Sequence, residues 1–139
     1  MMLVTSSTNE TNKKMIEIKD FDSAVISHML QYIYTGKLDD TVVDEEMVSD
    51  ILKAANKYEL DSLKALCEDK LSDVLEKQNC LRIFILSDFH QASVLKKEAL
   101  EVITSNKEDV FQSEEWERCV REHPDHAIQI TKALVNVGN

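Results

Sequence analysis

Only two glycines and one proline stand among these 139 residues. A sandwich or barrel needs many tight turns at special backbone angles, so a sheet-rich fold is disfavoured and helices joined by short polar connections are expected. No apolar run approaches the roughly 18 residues of a membrane span, and the first thirty residues lack the basic start and apolar stretch of a signal peptide. Basic residues are also scarce, sixteen against twenty-six acidic ones, which leaves a net charge of −10. A surface of that sign repels phosphate backbones and argues against nucleic acid as a partner. The three cysteines, Cys67, Cys80 and Cys119, are an odd number without close spacing. They suit reduced thiols in the nucleus or cytoplasm. What is plentiful is globular in kind: 43% hydrophobic and 30% charged residues, at a length suited to one compact domain.

Residues 1–14 open apolar and turn into a polar Ser/Thr/Asn/Lys run without periodicity, so a flexible lead-in is expected there. The stretch "MIEIKD" alternates, with Ile16 and Ile18 on one side and Glu17 and Lys19 on the other, the period of one short N-terminal strand. From Asp22 the period becomes helical through Val25, Met29 and Tyr32 or Ile33, and Gly36 stops the helix because glycine takes a positive φ without steric cost. Tyr32, Ile33 and Tyr34 share the last turn and cannot all face one core, which sends at least one aromatic to a rim. An acidic connection from Asp39 leads into a second helix striped by Met47, Val48, Ile51, Leu52 and Ala55. The stretch "YELDS" turns the chain into a third, with Asp61 as candidate cap and the two helices as a tight hairpin. Residues 78–89 are apolar nearly all round and read as a buried helix. Further helices follow through Leu95, Ala99, Val102 and Ile103, through Trp116 and Val120, and after Pro124, which suits a first helical position. No internal repeat is strict enough for a solenoid.

Chemistry-bearing constellations are missing. His28, His90, His123 and His126 stand on different stripes, and only the last two are close enough to chelate together, so surface or cap roles are expected and no metal. The run Asp39–Asp50 lacks the glycine and alternating ligands of a calcium loop and reads as a solvated face. Neither a G-x-S-x-G elbow nor a phosphate-cradling glycine loop is present. With no cofactor implied and no nucleophile set, the expected class is a binding module and not an enzyme.

Three longer stretches carry a resemblance: "YIYTG" closing its helix, "AANKYELDSLKALCE", and "ILSDFHQASVLKKEAL". With "IEIKDFDSAVISHMLQYIYTGKL" before them and "EEW" and "REHP" after, the chain resembles the C-terminal half of a BTB/POZ domain followed by a BACK-type helical extension. The order is most similar to speckle-type POZ proteins, which join a MATH domain to BTB and BACK. The resemblance spans about residues 10 to 135 and implies a mostly α fold: helical hairpins of a truncated BTB/POZ domain, then a BACK-like helical bundle. The divisions would be 1–14 lead-in, 15–77 BTB half and 78–137 BACK-like extension.

In that family the role is substrate adaptor of cullin-3 ubiquitin ligases, with MATH holding the substrate and BTB dimerising and binding the cullin scaffold. The resemblance therefore implies a cullin groove drawing on Glu10, Tyr32, Tyr58, Leu60, Asp61, Asn79, Phe84 and Leu95. It also implies other BTB/POZ chains as partners, and neither nucleic acid nor membrane. Tyr32 and Ile33 are expected in the core before any contact role. Three departures are visible. The sequence begins after the point where the first BTB helix and early strands should lie; Thr8 stands where an apolar residue precedes Glu10 by two places; and Thr131 replaces an expected aromatic in the last helix. An alternative function follows from them: a regulatory fragment that hetero-associates with full-length BTB adaptors without binding cullin.

Overall fold

The computed structural model describes residues 21–137, and every regular element among them is a helix. The alternating stretch expected as a strand lies outside the described residues. The chain forms two compact units that divide between Cys67 and Glu68.

In the first unit, α1 (Ser23–Thr35) packs against α2 (Glu45–Lys57), and α3 (Asp61–Val74) begins. Asp22 occupies the cap of α1 without a side-chain bond; its carbonyl accepts the Ile26 N–H at 3.1 Å. At the other end Gly36 adopts φ 75°, and its N–H donates to the Tyr32 carbonyl at 2.7 Å. The helix buries Val25 and Met29 but leaves Leu30, Ile33 and Tyr34 exposed. Asp44 caps α2 by accepting the Met47 N–H at 3.0 Å, with Glu45 and Glu46 in the first turn, where the helix dipole favours negative charge. Val48, Ile51, Leu52, Ala54 and Ala55 are buried along it.

The acidic connection is not only a solvated face. Leu38 and Val42 are buried within it, and the Asp39 carboxylate between them accepts from Thr41 N–H and Oγ at 2.9 and 2.8 Å. Those two bonds hold the Asp39 carboxyl below its usual range.

The stop of α2 has no glycine. Glu59 adopts φ 58°, the Leu60 N–H reaches the Ala55 carbonyl at 2.8 Å, and the Glu59 N–H reaches Asn56 at 3.3 Å. This is the Schellman pattern, completed by a residue that carries a Cβ into left-handed space. Asp61 consequently becomes the first helical residue of α3 instead of its cap. The expected tight hairpin of α2 and α3 is not the main pairing in this unit, which is α1 on α2.

The second unit continues α3 past Glu68 and adds α4 (Cys80–Phe89), α5 (Ser93–Ser105), α6 (Lys107–Phe111), α7 (Glu114–Glu122) and α8 (Pro124–Val137). The closest packing is α4 on α5, then α7 on α8. Its core is drawn from Leu71, Cys80, Ile83, Phe84, Leu95, Ala99, Ile103 and Ile130. Ser113 caps α7 by accepting the Trp116 N–H at 3.1 Å, and Trp116 lies 4.5 Å from Phe111. Pro124 takes the first helical position of α8, as expected. Burial pushes the Cys80 thiol up to about 11 and raises Cys119 as well, so neither is an activated nucleophile.

The stop of α4 repeats that of α2. Gln91 adopts φ 58°, the Ala92 N–H reaches Ser87 at 2.8 Å, and the Gln91 N–H reaches Asp88 at 3.3 Å. Every one of these atoms stands 32 positions after its counterpart, and so do the buried pairs Val48/Cys80, Ile51/Ile83, Leu52/Phe84, Leu63/Leu95 and Cys67/Ala99. A helix–turn–helix is thus built twice, a repeat of burial and turn geometry that residue identity hides.

Each left-handed side chain costs about 1 kcal/mol relative to glycine, partly offset by the greater unfolded-state freedom of glycine. Glu59→Gly and Gln91→Gly are each expected to raise stability by about 0.5 kcal/mol, read as a higher urea midpoint. A lower midpoint would show that the side chains themselves hold these turns.

Candidate partner-binding surface

Tyr58 closes α2 half-buried, with its ring 6.5 Å from that of Phe21. Leu60 is half-buried and Asp61 exposed one residue later. The Schellman turn fixes these three side chains on one short rigid bend, so the first unit presents an aromatic edge, an aliphatic group and a carboxylate in sequence. Such a mixed patch, small and preorganised, suits recognition of another protein surface.

Tyr32, in the last turn of α1, is half-buried, whereas Ile33 is 53% and Tyr34 85% exposed. The expectation that Ile33 belongs to the core is corrected: it continues the i, i+4 series of Val25 and Met29, but burial along α1 stops at Met29 and Ile33 is left exposed. Tyr34 is the aromatic that the sequence sent to a rim, but its continuation into an exposed surface through Leu30 and Ile33 was missed. The signal that finds them is that α1 contains no Asp, Glu, Lys or Arg in a chain that is 30% charged.

In the second unit the implied contact residues lie inside. Phe84 and Leu95 are each 1% exposed, and Asn79 is 4% exposed. The Asn79 side chain ties the α3–α4 connection together: Oδ1 accepts the Glu76 N–H at 2.8 Å and Nδ2 donates to the Val74 carbonyl at 2.9 Å. Among the exposed apolar groups of this unit, Phe89 and Val94 flank the Gln91 turn and were not singled out from the sequence. Glu10 and Thr8 lie outside the described residues. Thr131 stands on α8, its hydroxyl donating to the Ala127 carbonyl at 2.9 Å.

Among the described residues no group of His, Cys, Asp and Glu is arranged to hold a metal ion, and no helix is long and apolar enough to cross a membrane.

The family model of the BTB/POZ domain matches residues 1–75, more than half of the chain. The chain belongs to the BTB/POZ domain family. Its matched part includes α1, α2, the Tyr58–Asp61 turn and the whole of α3. Curated relatives extend the similarity beyond that boundary. TD and POZ domain-containing protein 2 of Mus musculus is 38% identical over 108 residues, 78% of this chain and 29% of the relative. TD and POZ domain-containing protein 5 of the same species is 39% identical over 108 residues, covering 78% of this chain and 32% of its own length. TD and POZ domain-containing protein 1-like, also from Mus musculus, is 35% identical over 127 residues, 91% of this chain and 34% of the relative. This BTB/POZ chain spans about a third of the length of these relatives.

Proposed function

We propose that this BTB/POZ chain is a protein–protein interaction module that docks the cullin-3 scaffold as part of a ubiquitin ligase adaptor. BTB domains generally associate with other proteins and with one another, which supports the general class. The observation that carries the specific reading is the rigid Tyr58–Leu60–Asp61 turn within the family-matched segment. In this reading Tyr58 and Leu60 supply the apolar contact and Asp61 the polar rim, while buried Asn79, Phe84 and Leu95 shape the second unit from beneath. The resemblance to speckle-type POZ proteins supports a BACK-like character for the helices after residue 77. The nucleus or cytoplasm is the compartment that goes with such a role.

A second reading is favoured by the charge-free face of α1. Leu30, Ile33 and Tyr34 offer a surface on which a complete BTB chain can pair without juxtaposing like charges. There the chain acts as a regulator of full-length BTB adaptors.

A pull-down with the N-terminal domain of cullin-3 in one arm and an intact BTB/POZ adaptor in the other separates the two. The cullin reading expects retention of the cullin domain that Tyr58→Ala/Leu60→Ala abolishes and Ile33→Glu leaves intact. Retention of the adaptor alone, lost with Ile33→Glu, would replace it with the regulatory reading.

A further inference from the structure

A small cleft opens in the first unit where the start of α1 meets the middle of α2. Its volume is about 160 Å³, and Phe21, Asp22, Val25, Asp50 and Lys53 line it. Pockets for cofactors and drug-sized molecules run to about 300–1,000 Å³, so this one has room for a single long side chain. Val25, 1% exposed, lies at its apolar base, and half-buried Phe21 adds an aromatic wall. The Asp22 side chain accepts no bond from the helix that it caps. Asp50 meets the Lys53 ammonium at 3.6 Å, a loose contact between side chains that are 34% and 45% exposed. Two carboxylates and one ammonium thus leave one negative charge unmatched within the lining.

We infer that this cleft is a subsite for an arginine side chain of the docked partner, a proposal that rests on reading the adjoining Tyr58 surface as a protein-docking site. The link between the two is Phe21, whose ring centroid lies 6.5 Å from that of Tyr58. One bound surface therefore covers both.

The chemistry of the lining selects among side chains. An arginine lays its apolar stem over Val25, stacks its planar guanidinium on Phe21, and presents a fork of N–H donors to the carboxylates. Lysine has no plane to lay on the ring and holds its water more tightly. An apolar side chain would strip water from Asp22 and Asp50 without replacing it, and an acidic one would be repelled. Lys53 opposes an incoming cation, but its long stem and exposure let it turn out to water, where salt screens it. The net charge of −10 steers basic partner surfaces toward the chain as a whole.

The full chain, titrated with the blocked tripeptide acetyl-Gly-Arg-Gly-amide and followed by amide NMR shifts, tests the subsite. Saturable shifts are expected at Phe21, Asp22, Asp50 and Lys53. Replacing the arginine by citrulline, which keeps the shape and removes the charge, should weaken binding about fivefold, as should Asp22→Asn/Asp50→Asn. These substitutions keep side-chain volume at partly or fully exposed positions, and an unchanged urea midpoint verifies the fold. No saturable shift, equal binding of the citrulline peptide, or undiminished affinity in the double variant would overturn the proposal. The probe contains no cullin, so a cullin domain that fails to bind sinks that reading alone. Cullin binding without shifts from the arginine peptide sinks the subsite alone.

Discussion

Phe84→Ala is expected to destabilise the second unit by about 3–5 kcal/mol, the range for emptying a fully buried aromatic site. Phe84 is 1% exposed on α4, with Lys96 over its ring and His126 at its edge, and Ile83 and Leu81 are buried beside it on the same helix. Removing the ring leaves a cavity that Leu95 and Ile103 on α5 cannot fill without leaving their own places. Phe84→Leu, which keeps most of the volume, is expected to cost less than about 1.5 kcal/mol. Urea unfolding followed by circular dichroism measures both. The functional consequence is specific: a loss of partner binding in Phe84→Ala must come with a loss of stability. Lost binding in a fully stable Phe84→Ala chain would mean that the ring acts as a contact despite its burial.

The second large effect is expected at Asn79. Its amide satisfies Glu76 N–H and the Val74 carbonyl from a site that is 4% exposed. Asn79→Ala leaves both without that partner and is expected to cost about 2 kcal/mol. Asn79→Asp is the sharper variant, because it keeps an acceptor for Glu76 but aims a carboxylate oxygen at the Val74 carbonyl. It should be at least as unstable as Asn79→Ala at pH 7 and recover in part when the carboxyl is protonated. Urea midpoints at pH 7 and pH 4 measure this. Midpoints within error of the wild type would return Asn79 to the surface role that family resemblance implied.

Much of this architecture was legible in the residues. Gly36 announced the end of α1, the stripe of Val48, Ile51, Leu52 and Ala55 announced α2, and Pro124 announced the start of α8. What was hidden has physical causes. The stops at Glu59 and Gln91 use left-handed backbone without glycine, so the usual signal was absent and the helix–turn–helix repeat at 32 residues went unseen. Leu38 and Val42 are single buried residues in an acidic stretch, too isolated to show a period. The exposure of Ile33 depends on how many neighbours α1 has, which is a tertiary fact and not a local one. Asn79 and Phe84 illustrate the same limit from the other side, since resemblance alone transfers a role but not a burial.

Calorimetric titration of the purified chain with the N-terminal domain of cullin-3, repeated with Tyr58→Ala/Leu60→Ala, tests the proposed role most directly. Micromolar or tighter binding is expected for the wild type, weakened at least about tenfold in a double variant that unfolds at the same urea concentration. No heat of binding from a chain with a cooperative unfolding transition would contradict cullin docking.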